Sequence, residues 1–375
     1  MPPSPSTRQA RSGPDPSSRV AIVLAFVLTI GSAGRAAAQT SPFTLDIVGA
    51  VDAVHDSTPR RETQLWVDVF AAVRIADGVD LVARPVVSRR AFDGAWQKHM
   101  YQLGVRYERP ATTTRGLGVR VEAGQLPSPI GIAMLENRAD LNPVVSQHSA
   151  YYMPLPRVSP EIPRTFLIAG AYPFGAQATL SSRRWDARVA AIDSSPVRGR
   201  PMLGANKPPR LLNVVAGVGV TPRVGVRLGA AVARGAYASV REVADPLRGD
   251  RDATMMQVEG EWSFGYTRIV GEWIHSVLET SRADASAHGY WIEATRTLTP
   301  RLFVATRFDS QAFEYQRPGV TTFSRQTYNR FEANAGVRVS PDLTLRAGYL
   351  GREGYVVFHW DDQFIASVVW QKRIW

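Results

Sequence analysis

The sequence predicts an all-β fold, a transmembrane antiparallel β-barrel of about sixteen strands, with 14 or 18 also compatible with its turns. Three observations carry this reading. Segments of roughly ten residues with period-two alternation of apolar and polar side chains recur along the chain. The connections between them alternate between tight turns and long loops, as they do in a barrel whose two rims differ. No stretch of 18 apolar residues follows residue 38, and without a spanning helix only a closed barrel satisfies every backbone hydrogen bond in lipid.

The domain plan is a leader, 1–38, followed by one barrel domain, 39–375, since no Pro/Gly/Ser-rich linker divides the chain. In the leader, Arg8, Arg11 and Arg19 precede an apolar run from Val20 to Ile30, which ends at the small-residue site Ala36, Ala37 and Ala38. That run is too short for a spanning helix, which needs roughly 20 residues. It reads as a cleaved Sec-type export signal, with the mature chain expected to start at Gln39. Cysteine is absent from the whole chain, which suits passage through an oxidising periplasm and excludes disulfides, thiolate metal sites and cysteine nucleophiles. At the other end, a strand-like segment closes on Trp375 and resembles the signal that bacterial outer-membrane barrels present to their assembly machinery. Gln371 and Arg373 depart from its usual apolar alternation.

Counting outward from the short turns places strands at 43–53, 63–75, 79–90, 97–108, 117–125, 174–182, 184–194, 211–221, 223–236, 253–263, 265–277, 287–298, 301–312, 327–339, 342–352 and 363–375. The clearest hairpin has Phe331, Ala333, Ala335, Val337 and Val339 on one face and Arg330, Glu332, Asn334 and Arg338 on the other. It turns at Ser340, Pro341 and Asp342 and returns with Leu343, Leu345, Ala347 and Tyr349. Tyr107, Trp262, Tyr266, Trp273, Tyr290 and Trp370 sit near strand ends, where aromatic girdles meet the membrane interfaces.

If the apolar phase faces lipid, the other phase points inward, and the candidate pore-lining residues follow: Arg74, Arg84, Arg106, Arg120, Glu122, Arg188, Arg227, Arg268, Glu332, Arg338 and Arg346. Arginine at the midplane of a lipid face costs roughly 2–4 kcal/mol, so the opposite orientation is excluded and the lumen is expected to be polar and hydrated. Residue by residue, a cross-strand ion pair explains each of them ahead of a transport role. Arg296 and Lys372 fall on the apolar phase, close to turns, and are expected at the rims.

The net charge is +11. Without the leader's four Arg and one Asp it is about +8, which suits anionic solutes or lipopolysaccharide. The basic residues are scattered singly, which argues against nucleic-acid binding. No phosphate-cradling loop is present, since Gly116 with Gly118 and Gly217 with Gly219 lack the third glycine. The six histidines are dispersed, and Asp361, Asp362 and Glu353 read as a solvated loop before they read as a calcium site. No cofactor, metal or enzymatic reaction is expected.

The longest interruption, 125–173, carries Pro127, Pro129, Pro143, Pro154, Pro156, Pro160 and Pro163, which prevent strand pairing over most of it. An ordered loop of this length usually has a function. Its opening segment, Gly124, Gln125, Leu126, Pro127, Ser128, Pro129, Ile130 and Gly131, resembles the strand-to-loop segment of the phosphate-selective porins, and the layout as a whole is similar to bacterial porins. The chain departs from the phosphate-selective group in having few lysines, among them Lys98, Lys207 and Lys372. The resemblance implies an outer-membrane channel for small hydrophilic solutes with a mild anion preference, set among outer-membrane lipid and lipopolysaccharide, and assembled as a homotrimer. It also implies that this third external loop folds into the lumen, with Glu136, Arg138 and Asp140 at a constriction facing Arg106 and Arg120. The competing reading is a structural, adhesive or gated barrel with a blocked lumen. An N-terminal plug has no room between Gln39 and the first strand at Phe43.

Overall fold

The structure is a computed structural model that describes residues 43–56, 61–89, 95–111, 116–132, 138–156, 165–168, 172–198, 210–242, 249–280, 283–316, 322–354 and 357–374, except the side chains of 56, 61, 62, 323 and 357–360. The leader, Glu136 and Trp375 lie outside the described residues.

Sixteen strands form one closed antiparallel barrel in which every strand pairs with its neighbours in sequence and β16 returns to β1. They are β1 Phe43–Asp56, β2 Arg61–Ala76, β3 Val79–Arg89, β4 Trp96–Arg109, β5 Gly118–Gln125, β6 Phe174–Ser181, β7 Trp185–Ile192 and β8 Asn213–Arg223. The second half comprises β9 Val226–Ala238, β10 Arg251–Phe264, β11 Thr267–Leu278, β12 Ala285–Thr297, β13 Leu302–Gln316, β14 Phe323–Ser340, β15 Leu343–Gly354 and β16 Val357–Ile374. A four-residue helix, α1, spans Ser149–Tyr152 in the long loop. No helix among the described residues is long and apolar enough to cross a membrane.

The predicted strands are all found, and the main differences lie at the long-loop rim. There β14 begins at Phe323 instead of 327, and β16 at Val357 instead of 363. Apolar alternation marks only the part of a strand that meets lipid, whereas the backbone ladder needs no particular side chain and runs on beyond it. At the opposite rim the turns are tight for a local reason. Gly78 has φ +70, and a Cβ there would lie 2.9 Å from the Glu108 carbonyl, so the Asp77–Gly78 hairpin requires glycine.

Outward residues such as Val218, Leu228, Val258 and Ile292 are exposed on the side a membrane would cover, and Trp262, Trp273 and Tyr290 are exposed among them, the last two in mid-strand and not at the strand ends the sequence suggested. In the β3–β4 pair the register is interrupted with a clear cause. Arg84 pairs with Gln102 but Pro85 with Met100, leaving Tyr101 as an extra residue. Proline cannot donate to the ladder, and the bulge turns Tyr101 inward. There it stacks on Tyr172 at 3.9 Å and receives the Arg84 guanidinium at 5.5 Å.

The inner surface corrects one expectation. It is polar near the short turns, but towards the long loops the inward positions of β7 to β13 are apolar: Ile192, Val215, Ala231, Ala233, Ala253, Met255, Ile274, Ala287 and Phe313. On β7 and β8 both phases are apolar there, whereas the outward phase of β10–β13 carries Thr254, His275, Ser286, His288 and Glu314, so alternation alone does not reveal the change. The long loop covers this patch, and Ile130, Leu155, Leu167 and Ile168 complete an apolar core inside the barrel. Burying each such side chain contributes roughly 1.5–3 kcal/mol.

Candidate functional site

The site is the lumen and the loop that enters it. A chain segment inside a barrel must satisfy its backbone groups against the wall, because no sheet partner is available there. The wall supplies donors and acceptors at the matching positions. Gln257 accepts from the Gly131 amide at 3.2 Å, and Glu272 accepts from the Ile132 amide, the Tyr151 hydroxyl (2.9 Å) and Trp291 Nε1 (2.8 Å). Gly131 has φ +89, and a Cβ on it would collide with the Tyr151 hydroxyl. Only glycine lets the loop pass at this point.

Further along the loop, wall arginines hold carbonyls and wall carboxylates hold amides. Arg346 donates to the Asn142 and Val144 carbonyls, Arg307 to the Ser146 carbonyl, and Arg330 to the Gln147 carbonyl at 2.5 Å. Glu332 accepts from the amides of Val145 (2.8 Å) and Ser146 (3.1 Å) and from the Ser146 hydroxyl, while Asp309 accepts from the Ser149 amide at 3.1 Å. Behind these bonds, Arg307 lies fully buried within 3.5–3.7 Å of Glu293, Asp309 and Glu332. With Arg330 and Arg346 the cluster balances three cations against three anions. His148 is buried against Trp291 at 4.2 Å, and burial, with Arg307 and Arg330 nearby, holds its imidazole well below its ordinary value. Burial also raises the Tyr151 hydroxyl far above its ordinary range, with Glu272 adding to the effect.

The loop leaves spaces between itself and the wall of β10–β16 and β1–β4. A vestibule of about 500 Å3 opens at the short-turn rim, bounded by Arg268, Phe303, Arg338 and loop residues Asp140 and Asn142. One of about 290 Å3 lies on the long-loop side, between Trp66, Gln147, Tyr152 and Arg352. Between them a neck of about 30 Å3 is lined by Asp52, Trp66, Asp68, Tyr101, Asn142, Gln147 and Arg346.

No family model matches the sequence, and no curated protein matches it either. Solved structures do. The trimer form of OmpT, an outer membrane protein of Vibrio cholerae, superposes with a TM-score of 0.57 at 11% identity, covering 89% of this chain and 99% of that one. OmpF of Salmonella typhi, in complex with daunomycin, gives 0.55 at 11%, covering 88% and 97%. The anion-selective porin of Comamonas acidovorans gives 0.50 at 9%, covering 88% and 98%. The fold is the porin fold.

Within this porin fold the residues singled out by alternation all lie on the inward phase but differ in exposure. Arg74, at the short-turn rim, pairs with Asp80 at 3.1 Å. Arg84 is buried on Asp68, and Glu122 is buried between Arg106 (2.7 Å), Arg120 (2.8 Å) and Gln177. Arg227 bridges Glu259 and Asp186, Arg188 reaches Glu259 at 3.7 Å, and Arg268 pairs with Glu261 at 3.0 Å. Glu332 and Arg346 are consumed in holding the loop. Arg138 binds Asp140 at 2.8 Å and approaches Asp46 on β1 at 3.8 Å, so this part of the loop meets the β1 wall instead of Arg106 and Arg120. Arg307, Asp309, Glu293 and Asp52 were not among the sequence candidates. The alternation of Leu302, Val304 and Phe308 is the signal that could have put Arg307 and Asp309 on the inner wall, whereas nothing in the sequence announces that the loop meets them. Among the described residues no group of His, Asp and Glu is placed to hold a metal.

Proposed function

We propose that this chain is an outer-membrane channel for small hydrophilic solutes with a mild preference for anions, and that no enzymatic reaction belongs to it. One observation carries the preference: in most of the ion pairs on the inner wall among the described residues the guanidinium is the more exposed partner. Arg120 is 43% exposed over Glu122 at 2%, and Arg227 is 31% exposed over Glu259 at 2%. The acids neutralise the arginines from beneath, and a passing solute meets the cations first. Export by the 1–38 leader, assembly through the strand ending in Trp375, contact with lipopolysaccharide and a homotrimer complete this reading, supported by the resemblance and by the trimeric neighbour. So does a constriction built by Glu136, Arg138 and Asp140.

The test is a planar bilayer under a salt gradient. Stable current steps with an anion-selective reversal potential are expected, and a cation-selective reversal would reject the charge argument. Deleting Ile132–Asn142 should raise conductance, and an unchanged value would remove the constriction. The second reading, a barrel with a blocked lumen, is favoured by the neck of about 30 Å3. Folded protein that carries no current would put that reading first.

A further inference from the structure

Most of the described arginines on the inner wall meet a carboxylate, and Arg338 does not. Arg338, on the inward phase of β14, has no carboxylate partner among the described residues. Its guanidinium donates to the Pro300 carbonyl at 3.3 Å and lies over the Phe303 ring at 4.8 Å. It faces the vestibule of about 500 Å3 at the short-turn rim. The other arginines lining that space are committed, Arg268 to Glu261 and Arg346 to the loop carbonyls and Ser367. Thr295, Thr297 and Thr344 line the same vestibule, and none has a side-chain hydrogen bond among the described residues.

A guanidinium held over an aromatic ring and bonded to a carbonyl keeps its remaining N–H donors oriented and loses little freedom when it takes up an anion. Threonine hydroxyls both donate and accept, as sugar hydroxyls do. The volume falls within the usual range for small-molecule sites, about 300–1,000 Å3. We propose that this vestibule binds a small hydroxylated organic anion, of the sugar acid or sugar phosphate class, with its charge on Arg338 and its hydroxyls on Thr295, Thr297 and Thr344. The proposal deepens the channel reading, because it names the class of solute that the wall retains.

Binding is tested by calorimetry on the folded protein in detergent, with gluconate and glucose 6-phosphate as probes and glucose and inorganic phosphate as controls. At least one of the two organic anions should bind, and both controls should bind roughly tenfold more weakly or not at all. Arg338→Gln should weaken that binding roughly tenfold, with Arg338→Lys intermediate, because a point charge replaces the planar fork. Arg296→Gln, on the outward phase, should leave it unchanged. Glucose binding as well as its anionic relatives, Arg338→Gln binding like the parent, or no heat from either anion would overturn the proposal. Because this measurement needs no current, it stands apart from the channel reading. A bilayer that stays silent would remove the channel while leaving the site, and a conducting channel without calorimetric binding would do the reverse.

Discussion

The same strands build two unlike interiors. On β10, Ala253 and Met255 point inward near the long loops, and Glu259 and Glu261 point inward near the short turns. On β11, Ile274 and Leu278 give way to Glu272 and Arg268 along the same phase. The upper interior excludes water by packing the loop against apolar wall, while the lower one pairs charges around open space. The loop is therefore held in two ways. Apolar burial fixes its Ile130, Leu167 and Ile168 portions without direction, and hydrogen bonds from the β13–β15 wall fix the register of Asn142–Ser149. Polar bonding alone would leave a costly desolvated cluster, and packing alone would not specify where the loop stops.

The largest effect expected from breaking this arrangement is at Arg307. Arg307→Met leaves Glu293, Asp309 and Glu332 without their shared cation, which should cost roughly 3–5 kcal/mol. A fall in the denaturant midpoint of the folded barrel, together with higher single-channel conductance as the loop is released, would be the readout. If stability is unchanged, the cluster is not what holds the loop. In the apolar half, Leu167→Ala should cost about 2–4 kcal/mol through transfer and cavity terms. It should loosen 165–168 in hydrogen exchange while leaving the Asn142–Ser149 amides protected, and loss of protection in both would mean that the loop is one cooperative unit.

Tyr151→Phe removes one of the donors to Glu272 and should cost about 1 kcal/mol, seen in the same denaturation assay. The pH dependence follows from His148. Its docked imidazole titrates below the ordinary value of 6.5, so the docked loop binds fewer protons than the released loop. This contribution is fully present above about pH 6.5 and is lost progressively as the pH falls below it towards the docked value. The protection of the Tyr151 and Tyr152 amides relative to intrinsic exchange should fall on acidification, and His148→Phe should flatten the profile. An equal slope in that variant would assign the effect elsewhere. The smallest change is expected at Arg352→Gln. It breaks a half-exposed pair with Asp361 and should alter stability by less than about 1 kcal/mol, with the difference vanishing in high salt.

Most of the barrel was legible because lipid imposes one rule on every strand. Val218, Leu228 and Ile292 had to face outward, so Arg227 and Arg268 had to face inward, and period two followed. The tight turns were legible through Asp77–Gly78 and its counterparts. Strand ends at the long-loop rim were not, because β14 and β16 continue on backbone pairing alone. The site was legible in part. Prolines marked 125–173 as a loop that could not pair, and alternation placed Arg338 and Arg346 on the inner wall. Which of those arginines would meet solvent depended on the loop.

The sequence by itself thus determined the approximate positions, direction and phase of the strands, since those depend on local alternation and turn chemistry, while the closed barrel fixed their number at sixteen. Only the tertiary structure decided that the inner wall of β7 to β13 is a packing surface, that Arg307 and Glu332 hold a loop, and that Arg338 is left facing open space. Those outcomes depend on contacts between residues more than a hundred positions apart, such as Ser146 with Glu332 and Tyr151 with Glu272. No local periodicity encodes which segment of a long loop arrives at which height on the wall.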